Sequence, residues 1–313
     1  MRFAHAEQCG KLDLTGFRGW QDACFPASCT MARHADHERG RHTAAAPDPN
    51  AIDLAGTSAV ILAGGLGTRL RTVVADGPKV LAEVDGVPFV FHLLTQLATA
   101  GVKHVVLATG YRGEQVRDAV GEAYGPLAIE YAQEPAPAGT GGALRRTLPL
   151  LRSGSVFVLN GDSYCELDLL HFWIWHHQRP AHGTLSLTQV ADARRFGTVD
   201  TGEYGRIERF VEKSPRRGPG TVNAGLYLLR RSLIAAIPAG VSCSLEHDLL
   251  PHWLVAGVYG YARTERFIDI GTPQSLASAK GFFRGAEVRA RATGARRAPR
   301  RATPTMTQTA EVA

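Results

Sequence analysis

The stretch "AVILAGGLGTRLRT", residues 59–72, decides how the rest is read. A short apolar run leads into Gly64, Gly65, a leucine, Gly67, Thr68 and Arg69. Glycines let backbone N–H groups approach an anion with no Cβ in the way, and Arg69 adds a planar fork for phosphate oxygens. A dinucleotide fingerprint needs G-x-G-x-x-G and an acidic residue roughly 20 positions on. Here the third glycine is missing, and the next strand ends in "LATG" without a carboxylate. A Walker A loop needs Lys before Ser or Thr, and none stands there. What remains is a glycine turn closed by an arginine, with Lys79 ten residues later in "GPKVLAEVDGVP" adding a point charge.

Outward from that loop, "AVILAG" is a buried strand, and "VPFVFHLLTQLATAG" carries apolar residues at helical spacing up to a glycine stop. "HVVLAT", "LAIEYAQE" and "SVFVLNGDS" are further strands, separated by helical "YRGEQVRDAVGEAY" and "GTGGALRRTLPLL". Strands alternating with helices imply βαβ units and a mostly parallel sheet. Later stretches, "HGTLSLTQV", "GTVDTGEYGRIERFVEK", "VNAGLYLLRR" and "VYGYARTERFIDIG", read as strands and hairpins. The expected fold class is α/β: a doubly wound, Rossmann-like sheet with a small β-rich lid over its carboxyl edge, where such sheets bind ligands.

Composition bounds the rest. The 313 residues, 44% hydrophobic and 20% charged, suit a soluble globular protein with a sizeable core. No apolar run is long enough for a membrane span and no apolar leader is visible. Five scattered cysteines without a CxxC pair read as reduced thiols, so a cytoplasmic location is expected. Residues 1–57 lack a period and read as an extension or linker, with Met31 an alternative start; the domain spans 58–283. His34, His37 and His42 have no spacing that favours a metal. The net charge of +6 draws on an arginine-rich tail, 284–313. With no aromatic residue interleaved for base stacking, that tail reads as a solvated, disordered extension rather than a nucleic-acid binder.

"VILAGGLGTRLR" followed by "PKVLAEVDGVPFV" resembles the sugar-1-phosphate nucleotidylyltransferases, enzymes of the nucleotide-diphospho-sugar transferase fold, over residues 59 to about 279. The resemblance implies that Leu62, Ala63, Gly64, Gly65, Gly67 and Thr68 hold a nucleoside triphosphate. It implies that Arg69 binds the β and γ phosphates, and that Lys79 neutralises the reacting end. Asp162, at the end of "VFVLNGD", and Asp269, in "ERFIDIGTPQSL", are carboxylates at strand ends facing the ligand crevice. Two carboxylates plus phosphate oxygens and water suit Mg²⁺, and the resemblance makes these two the metal ligands. A sugar 1-phosphate oxygen would attack the α-phosphorus while pyrophosphate leaves in line. Positioning and charge neutralisation suffice for this, with no protein nucleophile or general base.

On the sugar side, "RFVEKSPRRGPGTVNAGLYLL" matches the family order EK then NAGxY. That match implies Lys213 on the sugar phosphate, Glu212 on sugar hydroxyls, and Gly161, Asn223 and Gly225 lining the pocket. Glu246 in "SLEHDLLPHW" would touch the sugar or cap a helix, while His247 stands where a basic residue is often found and is given no role. "QEPAPAGTGGAL" would form the base pocket, with Glu134 on the base edge and Gly139 and Thr140 beside it. Guanine shows two adjacent donors that one carboxylate accepts at once. A uracil carbonyl would leave that carboxylate poorly paired, at a cost of roughly 1–3 kcal/mol. GTP is therefore expected, although a slip of one residue would put Gln133 there instead. "LNGDSYCELDL" resembles the D-glycero-α-D-manno-heptose 1-phosphate guanylyltransferases, with mannose-1-phosphate guanylyltransferases and glucose- or N-acetylmuramate-phosphate uridylyltransferases as alternatives. A catalytically silent regulatory subunit is a further reading; the presence of Arg69, Lys79, Asp162, Lys213 and Asp269 argues against it. The expected partners are the two small substrates, with no nucleic acid and no membrane, and a homo-oligomer is left open.

Overall fold

The computed structural model describes residues 52–65, 77–213 and 218–284. The expected roles of Gly67, Thr68 and Arg69 therefore lie outside the described residues, as do nearly all of both extensions.

Among the described residues the order is β1 (Ser58–Ala63), a hairpin of β2 (Glu83–Val84) and β3 (Val87–Pro88), α1 (Phe89–Thr99), β4 (His104–Thr109) and α2 (Gly113–Val120). Next come β5 (Ala123–Tyr124), β6 (Leu127–Gln133), α3 (Gly139–Thr147), β7 (Ser155–Asn160), β8 (Ser163–Glu166) and α4 (Leu169–His177). The rest is β9 (Gly183–Val190), β10 (Thr198–Thr201), β11 (Ile207–Val211), β12 (Gly220–Arg230), α5 (Arg231–Ala236), α6 (Leu250–Trp253), β13 (Val258–Tyr261), β14 (Arg266–Asp269) and α7 (Pro273–Ser278).

All six residues of β1 are buried, as are all six of β4. Such a strand must be covered on both faces, which is the signature of a parallel sheet under helices. α1 supplies part of one cover by burying Phe89, Val90, Leu93, Leu94 and Leu97, and it stops where Gly101 takes φ +93. β1 pairs in parallel with β4 on one side and β7 on the other, and β4 pairs in parallel with β6. The strand order runs β11-β10-β12-β7-β1-β4-β6-β5. It reverses at β1, since the next strand in sequence lies on one side and a later one on the other. The crevice outside the carboxyl ends at such a reversal is where ligands bind.

The β-rich addition extends the same sheet. β12 is antiparallel to β7 and β10 and pairs along β9, which carries β13. Against β9, β12 steps from Asn223↔Leu187 to Tyr227↔Leu185, so four residues advance opposite two. This bulge contains Gly225 at φ +77, a conformation that favours glycine. Separately, β14 pairs antiparallel with β8, setting Asp269 opposite Ser163. Among the described residues no helix is long and apolar enough to cross a membrane.

Candidate active site

Parallel register brings the carboxyl ends of four strands level. Leu62 pairs with Asn160, Ala63 with Thr109, and Thr109 with Gln133. The residues just beyond, Gly64, Gly110, Glu134 and Gly161–Asp162, therefore share one edge. The backbones there nearly touch: a Cβ on Gly110 would fall 2.9 Å from the Gly64 carbonyl oxygen, and one on Gly161 would fall 2.5 Å from that of Leu62. Glycine at these positions is a packing requirement.

Glu134 closes this end. Its Oε2 accepts a long bond from the Ala138 N–H at 3.4 Å and lies 3.6 Å from where a Gly64 Cβ would be. Its Oε1 is buried and meets no donor among the described residues. Burial pushes the Glu134 carboxyl above its ordinary range, opposed by the Ala138 N–H and by Arg146. Gln133 lies elsewhere, beside Gly113, so Glu134 rather than its neighbour faces the glycine end. Gly139, at φ +71, has another neighbour: its Cβ direction is filled by the Cys243 carbonyl oxygen at 2.4 Å. The Gly141 N–H donates to that same oxygen at 2.8 Å. The glycines opening α3 thus let the segment before α6 pack against the helix.

The carboxylates meet at the other side of β1. Asp162 Oδ2 accepts from Lys79 Nζ at 2.5 Å. The Ile270 N–H donates to the Asp162 carbonyl at 2.8 Å and brings the end of β14 alongside. Asp269 Oδ1 accepts from Arg195 Nη2 at 2.7 Å. A Cβ on Gly271 would lie 2.9 Å from Asp269 Oδ2 and 3.2 Å from Lys79 Nζ, so these groups converge on one point. Burial raises the Asp269 carboxyl, and the like charge of Asp162 raises it further; Lys79, Arg195 and the Gly271 N–H oppose this. A divalent cation would relieve that repulsion. No group of three or more His, Cys, Asp or Glu suited to a metal occurs among the described residues. Mg²⁺ typically takes one or two carboxylates and completes its shell with phosphates and water, so the pair fits it.

Around the β12 bulge lies a polar network. Glu246, on a π-helical turn Leu245–Leu249, accepts from Thr140 Oγ1 at 2.9 Å, Tyr227 OH at 3.1 Å, Asn160 Nδ2 at 3.2 Å and Ser244 Oγ at 3.3 Å. Asn223 Nδ2 donates to Tyr227 OH at 2.7 Å, and its Oδ1 accepts from the Gly225 N–H of the bulge. Asn160 Oδ1 is buried with no donor among the described residues. Burial and then the nearby Glu246 push the Glu212 carboxyl up, while Lys213 and His247 lower it. Lys213 is exposed and holds φ +53.

The structure thus gathers Lys79, Asp162 and Asp269 at one point, and Glu212, Asn223, Gly225 and Glu246 around the bulge, while Gly161 packs against the end of β1. Leu62 and Ala63 are the buried end of β1, and Gly65 is exposed beyond it. The Thr140 hydroxyl is engaged in the network around the bulge, accepting from the Leu245 N–H at 2.7 Å as well as donating to Glu246. Sequence reading missed Gly110, Arg195, Tyr227 and the side-chain role of Asn160. Only Asn160 and Tyr227 carried a signal, each standing inside a quoted motif.

The nucleotidyl transferase family model matches residues 58–284. A mannose-1-phosphate guanylyltransferase from Mycobacterium tuberculosis is 38% identical over 223 residues, covering 70% of this chain. The matched part spans 62% of that relative's own length. A D-glycero-alpha-D-manno-heptose 1-phosphate guanylyltransferase from Aneurinibacillus thermoaerophilus is 34% identical over 71% of this chain and 96% of its own. The crystal structure of HddC from Yersinia pseudotuberculosis complexed with GMP-PN superposes with TM-score 0.64 at 33% identity, covering 72% of this chain and 99% of that one.

Proposed function

The chain belongs to the nucleotidyl transferase family, and from that premise we propose that residues 58–283 join GTP to a sugar 1-phosphate, yielding a GDP-sugar and pyrophosphate. The observation that carries the proposal is the order of groups along the sheet edge. It runs from the bulge pocket on β12, past Asp162 on β7 and Gly64 on β1, to Gly110 on β4 and Glu134 beyond β6. That is the order sugar, metal, phosphates and base that the two bound substrates would require.

In the reaction, an oxygen of the sugar 1-phosphate forms the new bond to the α-phosphorus of GTP. The bond to the β-phosphate bridging oxygen breaks, and pyrophosphate carries away the electron pair. Gly64 and Gly65, with Gly67, Thr68 and Arg69, hold the triphosphate; Lys79 compensates its charge at the reacting end, and Lys213 holds the sugar phosphate. Asp162 and Asp269 would hold Mg²⁺, which when bound supplies charge neutralisation at the phosphates. Since the nucleophile is already an anion, positioning and electrostatics account for the catalysis. The Glu134 carboxylate, with Oε1 unpaired and Oε2 holding only one long bond, matches the two adjacent donors of guanine. Among sugars, D-glycero-α-D-manno-heptose 1-phosphate is favoured by the "LNGDSY" segment; mannose 1-phosphate is the second reading, supported by the mycobacterial relative. The free thiols of Cys165 and Cys243 and the nature of the substrates favour a cytoplasmic location. The test is pyrophosphate release with Mg²⁺ over a panel of nucleoside triphosphates and sugar 1-phosphates. Turnover is expected to be greatest with GTP and a manno-configured sugar; no release with any pair would overturn the proposal.

A further inference from the structure

We propose that Arg195 exchanges between two anions: the Asp269 carboxylate before Mg²⁺ binds, and the phosphate of the sugar 1-phosphate once Asp269 is engaged by the cation. This rests on the transferase reading above and adds a residue to it.

The ion pair has one largely buried and one half-exposed member. The Asp269 side chain is 14% exposed at the end of β14, whereas the Arg195 side chain is 46% exposed on the turn Ala193–Arg195. Its neighbour Arg194 is held by Asp192, the residue that caps the same turn. Arg195 is therefore the arginine of this turn that points into the carboxylate cluster.

Its anchorage spans both halves of the site. Phe196 packs edge-on against Phe267 of β14 with ring centroids 5.5 Å apart, two residues before Asp269. The Gly197 carbonyl accepts from the Asn223 N–H at 2.9 Å, and a Cβ on Gly197 would fall 2.8 Å from Glu212 Oε2. Arg195 thus contacts Asp269 on one side, while its own segment, two residues on at Gly197, touches the wall formed by Asn223 and Glu212.

Charge balance supplies the reason to move. Lys79 on Asp162 and Arg195 on Asp269 make two cations on two carboxylates. A doubly charged metal on the same carboxylates leaves both cations in surplus and repels them. The sugar phosphate is the anion arriving beside Asp269, and a guanidinium grips phosphate through two parallel N–H bonds.

The experiment uses the full chain with Arg195→Ala and Arg195→Lys. Mn²⁺ affinity is measured by electron paramagnetic resonance without substrates, and KM is measured separately for GTP and for the sugar 1-phosphate. Removing a competing cation should tighten Mn²⁺ binding about fivefold in Arg195→Ala, while Arg195→Lys, which keeps the charge, stays near wild type. KM for the sugar 1-phosphate should rise about tenfold in Arg195→Ala and less in Arg195→Lys, with KM for GTP within about twofold of wild type. A merely structural clamp on Asp269 would loosen Mn²⁺ binding instead. Unchanged or weaker Mn²⁺ binding in Arg195→Ala, or an unchanged sugar 1-phosphate KM, overturns the proposal. The Mn²⁺ titration needs no turnover. A wild-type chain inactive with every substrate pair would remove the transferase reading, while an active chain with unaltered Mn²⁺ affinity in the variant would remove only this one.

Discussion

Replacing Tyr227 by Phe removes one oxygen atom from the polar network and leaves the ring in place. Tyr227 is fully buried, and burial followed by the Glu246 charge pushes its phenol well above the ordinary value. Its hydroxyl donates to Glu246 Oε1 at 3.1 Å and accepts from Asn223 Nδ2 at 2.7 Å. Without that oxygen the buried Asn223 amide loses its acceptor, at roughly 1–3 kcal/mol for an unpaired donor. Glu246 loses one charge-assisted bond, worth roughly 1.5–3 kcal/mol, but keeps donors from Thr140, Asn160 and Ser244. Because the phenol no longer has to be desolvated, we expect a net loss of about 2–3 kcal/mol. For a domain of this size that lowers Tm by about 5–10 °C. Urea unfolding should show a lower midpoint with an unchanged slope, and the sugar 1-phosphate KM should rise while that for GTP holds. In an Asn223→Leu background the same replacement should cost less, because the donor it would strand is already gone. A stability change below about 0.5 kcal/mol, or an equal cost in both backgrounds, would show that the network is not energetically connected as drawn.

Glu134→Gln should shift preference from GTP toward UTP in a competition assay, since an amide suits the acceptor–donor–acceptor edge of uracil; an unchanged ratio would refute the base-pocket assignment. Asp269→Asn should lower kcat at least about a hundredfold yet leave the fold as stable or more so, because the raised Asp269 carboxyl marks an anion held at a cost; clear destabilisation on urea unfolding would contradict this. Lowering the pH from 7 to 5 should withdraw the contribution of His176, which burial holds down to about 3, so the folded state refuses a proton that the unfolded chain accepts below 6.5, while the raised carboxyls of Glu134, Glu212 and Asp269 act in the opposite sense. At pH 5 the His176 contribution amounts to roughly 2 kcal/mol, and a lowered His104 acts in the same direction as His176. His176→Asn should flatten the pH dependence of urea unfolding by about one proton, and an unaltered slope would refute the assignment.

Sheet and motif-bearing strand ends were legible because parallel central strands are uninterrupted apolar runs, as in "AVILA" and "SVFVL", and each stops where the backbone turns toward the crevice. Gly64 and Asp162 are readable for that reason, whereas Asp269, on the antiparallel strand β14, is readable only through its motif. What escaped depends on contacts between distant segments. Gly110 in "TGYRG" looks like any strand-to-helix turn until β1 lies beside it. Arg195 in "DARRFG" reads as a solvated turn, since its partner is 74 residues away. The asparagine of "VNAGLY" was legible as a motif, but the bulge that sets its direction exists only as a mismatch between β12 and β9. Gly139, read beside the base, has its Cβ direction taken by Cys243, a neighbour about a hundred positions on that no local pattern announces.

The pairing of β8 with β14 also dictates when the site can exist. Asp162 and Lys79 are made early, but Asp269 arrives on the last strand of the domain, which is then fastened by Arg266 bonding Glu166 and the Phe282 carbonyl. A nascent chain that has emerged only as far as β13 lacks Asp269 and cannot yet assemble the carboxylate pair. Contacts of such long sequence separation form slowly, so the joining of β14 to β8 is a late folding event, and the pair Asp162–Asp269 comes together only with it.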